Sequence, residues 1–159
     1  MGISGGPCSM LEVFIDGLAE PTNPGIGTFG FVIYRDGKRV KEAHGFVGER
    51  VSNNFSEYHA LCEALRWILE RGWQGEEVIV KSDSLLLVNQ MSGRWRVRGG
   101  LYAPKHLEAL SLAKEFDKIS FVWIPRGENA EADSLSRRAY EIHLKGRMRM
   151  NQGEGPSGQ

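Results

Sequence analysis

The sequence predicts an α/β fold: a mixed five-stranded sheet flanked by helices, with element order βββαβααβα. Three observations carry this. Apolar runs of strand composition crowd the first fifty residues and are joined by turn signals. The hydrophobic period then switches to that of a helix, and two later apolar runs are separated by helical segments. Strands joined by hairpins pair antiparallel and strands joined through helices pair parallel, so one sheet holds both kinds.

The first run, Leu11 to Asp16, reads as a strand, and after a loop containing Pro21, Pro24 and Gly25 a second run covers Phe29 to Tyr34. Asp36-Gly37 follows at once. Both central positions of a type I′ turn need positive φ, so Lys38 to Val47 is expected to return as an antiparallel third strand. Tyr58, Leu61, Cys62, Leu65, Ile68 and Leu69 then fall at helical spacing, with Gly72 where a left-handed cap closes a helix. Glu77 to Ser82 reads as a fourth strand. Ser84 caps a helix through about Met91, Pro104 occupies the first turn of another through about Phe116, and Ile119 to Ile124 makes the fifth strand. After the PRGEN loop, Ala132, Leu135, Ala139 and Ile142 give the apolar stripe of a last helix.

A chain of 159 residues with 41% hydrophobic content suits one domain with one core. That domain is expected over residues 11–149, between a Gly-rich head (1–10) and a polar tail (150–159) that read as disordered. No stretch approaches the roughly 18 consecutive apolar residues of a membrane span, and MGISGGPCSM lacks the regions of a signal peptide. Membrane and secreted classes therefore fall away. Cys8 and Cys62 supply neither a disulfide framework nor a metal cluster, which fits a cytoplasmic protein and leaves their pairing open. Twenty basic residues balance twenty acidic ones, but unevenly. Residues 1–93 carry 8 basic and 12 acidic side chains, net −4, whereas residues 94–159 carry 12 and 8, net +4. Such a division suits a carboxylate cluster beside a surface that attracts phosphates.

Four acids stand where a crossover sheet would gather them. Asp16 ends the first strand, Glu57 opens the first long helix, Asp83 ends the fourth strand and Asp133 begins the last helix. With strands one and four as parallel neighbours, Asp16 and Asp83 lie side by side at the carboxyl ends, where open α/β sheets place ligands. Glu57 and Asp133 can close the ring. Any one of them alone is an ordinary cap or strand-end acid. Four together repel one another unless divalent cations bind, and hard oxygen ligands suit Mg²⁺ or Mn²⁺ rather than zinc.

The segments FIDGLAEPTNPGIGTFGFVIY, SNNFSEYHALCEAL, VKSDSLLLVNQMSG and PRGENAEADSLSRRA resemble, in order and spacing, the four catalytic blocks of the type 1 ribonuclease H family. The resemblance covers about Leu11 to Leu144. It implies a ribonuclease H-like fold and an endonuclease that cuts the RNA strand of RNA–DNA hybrids, leaving a 5′-phosphate and a 3′-hydroxyl. It leaves open whether double-stranded RNA is cut too. Asp16, Glu57, Asp83 and Asp133 match the family's metal-binding carboxylates. Two Mg²⁺ ions about 3.5 to 4 Å apart, or Mn²⁺ in their place, would then activate the water and stabilise the leaving oxygen. Asp16 would bridge both, Glu57 and Asp83 would each fix one, and Asp133 would hold the more exposed position.

The resemblance also implies substrate contacts. Asn53 and Asn54 match positions that meet the 2′-hydroxyl, Asn23 and Asn129 match positions near the substrate backbone, and Ser52 matches one near a DNA-strand phosphate. The Asn pair can also cap the following helix. The chain departs from the family pattern in two places. Many members carry a histidine on a loop before the last aspartate; here the loop is IPRGENAEA, with Arg126 or Glu128 as candidate substitutes, most like archaeal members. The family's long basic protrusion is reduced to SGRWRVRGGLYAPK. There Arg94, Arg96, Arg98 and Lys105 can meet phosphates, while Trp95 and Tyr102 either lie against nucleotides or pack inward. A second basic run comprises Arg137, Arg138, Lys145, Arg147 and Arg149.

Two patterns are decoys. Gly25-Ile-Gly27-Thr-Phe-Gly30 has dinucleotide-fingerprint spacing but precedes a strand, and Asn54-Phe-Ser56 is a glycosylation pattern in a chain expected to stay in the cytoplasm. Two other functions compete: a non-catalytic nucleic-acid-binding module, opposed by the presence of all four acids, and another nuclease of the wider superfamily. The Asn-Asn-x-x-Glu and Asn-x-x-Ala-Asp blocks favour the hybrid-cutting branch. A monomer is the simplest expectation.

Overall fold

The computed structural model describes residues 9–151. The elements are β1 (Met10–Glu20), β2 (Gly25–Arg35), β3 (Lys38–Val51), α1 (Asn53–Glu70), β4 (Glu77–Ser82), α2 (Leu85–Met91), α3 (Ala103–Ala113), β5 (Lys118–Trp123) and α4 (Ala130–Asn151). The sheet order is β3-β2-β1-β4-β5, antiparallel from β3 to β1 and parallel from β1 to β5. This is the expected mixed sheet in the expected order. Cys8 and most of the two ends lie outside the described residues, although Met10 belongs to β1 and α4 continues through Asn151. Among the described residues no helix is long and apolar enough to cross a membrane.

Local signals explain the turns and helix ends. Asp36 and Gly37 have φ of 51° and 84°, the type I′ requirement, so β2 and β3 form a tight hairpin. Ser52 caps α1 by accepting the Phe55 N–H at 3.0 Å. At the other end Gly72, with φ 75°, donates to the Leu69 carbonyl and Trp73 donates to that of Ile68, which closes α1 in a Schellman motif. Ser84 caps α2 through the Leu87 N–H.

Several boundaries differ from expectation. The β1–β2 ladder continues to the pair Glu20–Ile26, so residues 17–20 and 25–28, expected as loop, are strand. Gly17, Gly25 and Gly27 hide the strand pattern because glycine has low strand preference and no side chain to alternate. β3 likewise runs on to Val51, with register irregularities at Gly27. α3 stops at Ala113, and PRGEN winds into a 3-10 turn over Arg126–Asn129 that leads directly into α4.

Alternation in the strands separates two layers. Leu11, Val13 and Ile15 of β1 and Phe29, Phe31 and Ile33 of β2 pack with Tyr58, Leu61, Leu65 and Ile68 of α1, and with Val78 and Val80 of β4. The opposite face of β2 meets α4: the Thr28 hydroxyl donates to the Ser136 carbonyl at 2.8 Å. Each fully buried Leu or Ile contributes roughly 1.5–3 kcal/mol of transfer free energy, so the α1 side is the main support of the fold.

Candidate active site

Two glycines let both helix layers reach the sheet at one point. A Cβ on Gly17 would overlap the backbone nitrogen of Glu57, so the first turn of α1 rests directly on β1. Gly30 stands opposite Asp16, and a Cβ there would lie 2.7 Å from the Ala132 carbonyl oxygen of α4. Glu57 therefore arrives from one face of the sheet while α4 arrives from the other. The parallel register places Phe14 opposite Lys81, which brings Asp16 level with Asp83 two residues further on.

The result is a tight acidic cluster. One carboxylate oxygen from each of Asp16, Glu57 and Asp83 lies within 4.8 Å of the others. Asp16 and Glu57 are each only 6% exposed. The Ser136 hydroxyl donates to Asp16 Oδ2 at 2.6 Å. Asp133 lines the same cleft from its rim, with Arg137 Nε 3.4 Å from its Oδ1.

The cluster disfavours its own charge. Burial pushes the Asp16 carboxyl up to about 7; the Ser136 hydrogen bond and Arg126 oppose this, and the charges of Asp83 and Asp133 add to it. Burial, then Asp16 and Asp83, hold Glu57 well above the usual carboxylate range. Asp83 is raised by burial and Asp133, with Arg126 opposing. Glu57 Oε1 is buried with no hydrogen-bond partner among the described residues. An unpartnered buried carboxylate oxygen facing two further acids is costly, and a divalent cation removes both costs. The donor set is all oxygen, and it fits Mg²⁺ or Mn²⁺.

The other sequence candidates are distributed unevenly. Asn23 and Asn53 line the cleft and hold each other: Asn23 Nδ2 donates to Asn53 Oδ1 at 2.7 Å, and the Asn53 N–H donates to Asn23 Oδ1. Ser52 is the helix cap, so the capping role considered for Asn53 and Asn54 falls to it and to Asn23. Arg126 faces the cleft, but Glu128 opens into a separate groove beside Phe14 and Tyr34. Of these two, Arg126 alone lines the carboxylate cleft. Asn129 is 1% exposed and donates to the Ile15 carbonyl at 2.8 Å, bracing β1.

Arg94 and Arg96 are exposed, yet neither lines the carboxylate cleft; Arg94 borders a second groove between α2, α3 and β5. Trp95 turns outward at 46% exposure, whereas Tyr102 turns inward and stacks on Tyr58. The second basic run divides, Arg137 going to the cleft and Arg147 to Glu49 of β3. Ser136, buried behind the cleft, and Trp123, on its wall, are not among the sequence candidates. Ser136 carries a signal only in hindsight, three residues beyond Asp133 on the same helix face. Trp123, 48% exposed, forms a wall of the cleft, and its indole N–H donates to the Asp83 carbonyl at 3.2 Å.

Comparison with known proteins agrees with this geometry. The family model described as "Reverse transcriptase-like" matches residues 15–139. The chain is 36% identical over 121 residues to the bifunctional protein Rv2228c of Mycobacterium tuberculosis, an alignment spanning 75% of this chain but 32% of that protein. It is 32% identical over 132 residues to ribonuclease HI of Halobacterium salinarum, across 82% of this chain and 64% of the relative. It therefore spans about a third of the mycobacterial relative and less than two thirds of the halobacterial one. Among solved structures, RNase H1 of Halobacterium salinarum superimposes with a TM-score of 0.76 at 30% identity, covering 84% of this chain and 98% of that one. LC11-RNase H1, solved in complex with an RNA/DNA hybrid, gives 0.78 at 33% identity, covering 84% and 99%. On sequence, fold and the coincidence of the acidic cluster with the family's blocks, the chain belongs to the type 1 ribonuclease H family.

Proposed function

We propose that the protein is an endonuclease that hydrolyses the RNA strand of RNA–DNA hybrids with two divalent cations, Mg²⁺ or Mn²⁺, leaving 5′-phosphate and 3′-hydroxyl ends. The observation that carries this reading is the convergence of Asp16, Glu57 and Asp83 within 4.8 Å, in a fold shared with a relative crystallised on an RNA/DNA hybrid. Divalent ions, when bound, supply activation of the attacking water and neutralisation of charge on the leaving oxygen.

The chain's own residues do the rest. Asp16, oriented by Ser136, forms one cluster with Glu57 and Asp83 and would be a ligand of the ions. Glu57 offers its unpartnered Oε1, and Asp133 holds the open side of the cleft. Arg126 lines the cleft as a cation and draws phosphate into it. Asn53, held by Asn23 in the cleft, would with Asn54 meet the 2′-hydroxyl that distinguishes RNA from DNA. Ser52 uses its oxygen as the α1 cap and keeps its hydroxyl hydrogen for a DNA-strand phosphate. Arg94 and Arg96 serve the backbone beyond the cleft. The reading includes a monomeric, cytoplasmic enzyme, which the buried free thiol of Cys62 suits.

The test is incubation of an end-labelled hybrid beside the same RNA single-stranded and in an RNA duplex, with Mg²⁺, Mn²⁺ or EDTA. Metal-dependent cutting of the hybrid's RNA strand is expected. Cutting of the RNA duplex at an equal rate would remove the DNA strand from the recognition scheme.

A further inference from the structure

The segment from Arg94 to Arg98 has no helix or strand of its own, yet it is tied down by two neighbouring residues of α2. The Asn89 carbonyl accepts the N–H groups of Arg94 and Trp95 at 2.8 and 3.1 Å, and Asn89 Oδ1 accepts from the Arg94 guanidinium at 3.3 Å. Gln90 Nε2 donates to the Arg96 carbonyl at 3.4 Å and to the Tyr102 hydroxyl at 3.0 Å. Both Asn89 and Gln90 are buried.

Gln90 in turn belongs to a buried polar chain. The Tyr58 hydroxyl donates to Gln90 Oε1 at 2.7 Å, and His106 Nδ1 lies 3.1 Å from the same hydroxyl. Because the Tyr58 proton is used on Gln90, His106 must carry its own proton on Nδ1 and donate it. The Arg96 carbonyl sets the direction of the whole chain: with the Gln90 amide reversed, two acceptor oxygens would face each other there. A glutamine with all its polar atoms satisfied, joined to α1 through Tyr58 and to α3 through Tyr102 and His106, is a rigid anchor. Its outward bond goes to a segment carrying Arg94, Arg96 and Arg98.

We infer that Asn89 and Gln90 are positioning residues that hold this basic segment as a preformed track for a nucleic-acid phosphate backbone. The inference rests on the proposed hybrid-directed activity. Rigid placement spares the segment the entropy of ordering when the backbone docks.

The test compares wild type with Gln90→Met, which keeps the length and loses the amide, and with the pair Arg94→Ala and Arg96→Ala. Hybrid Kd is measured in EDTA against salt concentration, and KM and kcat are measured with Mg²⁺. Gln90→Met is expected to raise Kd and KM about fivefold, the factor given by loss of one interaction of ~1 kcal/mol. Its kcat stays within about twofold of wild type, because the carboxylates keep their places. The arginine pair is expected to make the slope of log K on log salt shallower by about 1 to 2. Should Gln90→Met unfold, Tyr102→Phe carries the same test. Unchanged Kd and KM in Gln90→Met, with altered slope in the arginine pair, would overturn the positioning role alone. An unchanged slope in the arginine pair would overturn the track. Failure of wild type to cut the hybrid would overturn the activity, and the EDTA binding data would still decide the track.

Discussion

Asp16 sits where β1 meets both flanking helices, and its environment sets two opposed tendencies. Ser136 favours its charged form, while burial and the neighbouring acids favour its neutral one. Asp16→Asn and Glu57→Gln remove one like charge from the cluster while keeping the shape. Each is expected to abolish cleavage and to raise the metal-free Tm by a few kelvin, about 1 kcal/mol in a chain of this size. Thermal melting in EDTA checks this, and a drop of several kelvin in both variants would contradict a cluster held under repulsion. Ser136→Ala leaves Asp16 without its hydroxyl partner. The metal concentration for half-maximal activity is then expected to rise about tenfold or more, the usual consequence of removing a group that orients a ligand.

The same carboxyls make stability depend on pH. Asp16 titrates at about 7 in the folded chain, and Glu57 and Asp83 are raised as well. Unfolded carboxyls titrate near 4, so between about pH 4 and 7 the folded state binds more protons than the unfolded state. The stabilising contribution is complete below the unfolded value and is lost as the pH rises through the folded one. The metal-free protein is therefore expected to melt higher at about pH 5 than at about pH 8, with saturating Mg²⁺ narrowing the difference because cations bind the deprotonated form. Equal melting at both pH values in EDTA would show that the acids do not crowd one another.

At the scale of elements, the site depends on how closely α1 and α4 approach the sheet. Gly30→Ala would press a methyl against the Ala132 carbonyl and Leu135 Cβ, both 2.7 Å from the added carbon. A backbone carbonyl cannot swing aside as a side-chain tip can. This variant is expected to lose roughly 1–3 kcal/mol in urea unfolding, with cleavage falling further than the stability loss explains because α4 carries Ser136 and Asp133. Stability within a few tenths of a kcal/mol of wild type would contradict the close contact. The glycines also explain what the sequence leaves hidden. Asp36-Gly37 announces its turn because it demands positive φ, and α1 announces itself by its period. Residues 17–20 and 25–28 read as loop because Gly17, Gly25 and Gly27 erase the strand signal, Gly17 being also the one that admits α1.

Across the molecule, the acids were legible from the family's blocks and from the condition that strands one and four pair in parallel, which the register of β1 on β4 meets, although Asp16 lies inside β1 and not at its end. Orientation within irregular segments was not legible. No period governs Arg94 to Tyr102, so nothing in the sequence told that Trp95 turns outward and Tyr102 inward. The phase of the 3-10 turn, which gives Arg126 to the cleft and Glu128 to another groove, was equally hidden. The division of charge along the chain is only partly a division of space: Arg94 borders another groove, but Arg126, Asp133 and Arg137 of the basic half line the cleft of the acidic cluster.

The most direct measurement is cleavage of an RNA–DNA hybrid labelled at the RNA 5′ end, followed over a Mg²⁺ titration for wild type and for Asp16→Asn. The RNA strand is expected to be cut internally by wild type only when Mg²⁺ is present, with products ending in a 3′-hydroxyl, and to survive intact with Asp16→Asn at every concentration. Cutting that persists in EDTA, or in the Asp16→Asn variant at the wild-type rate, would contradict a reaction built on this carboxylate cluster.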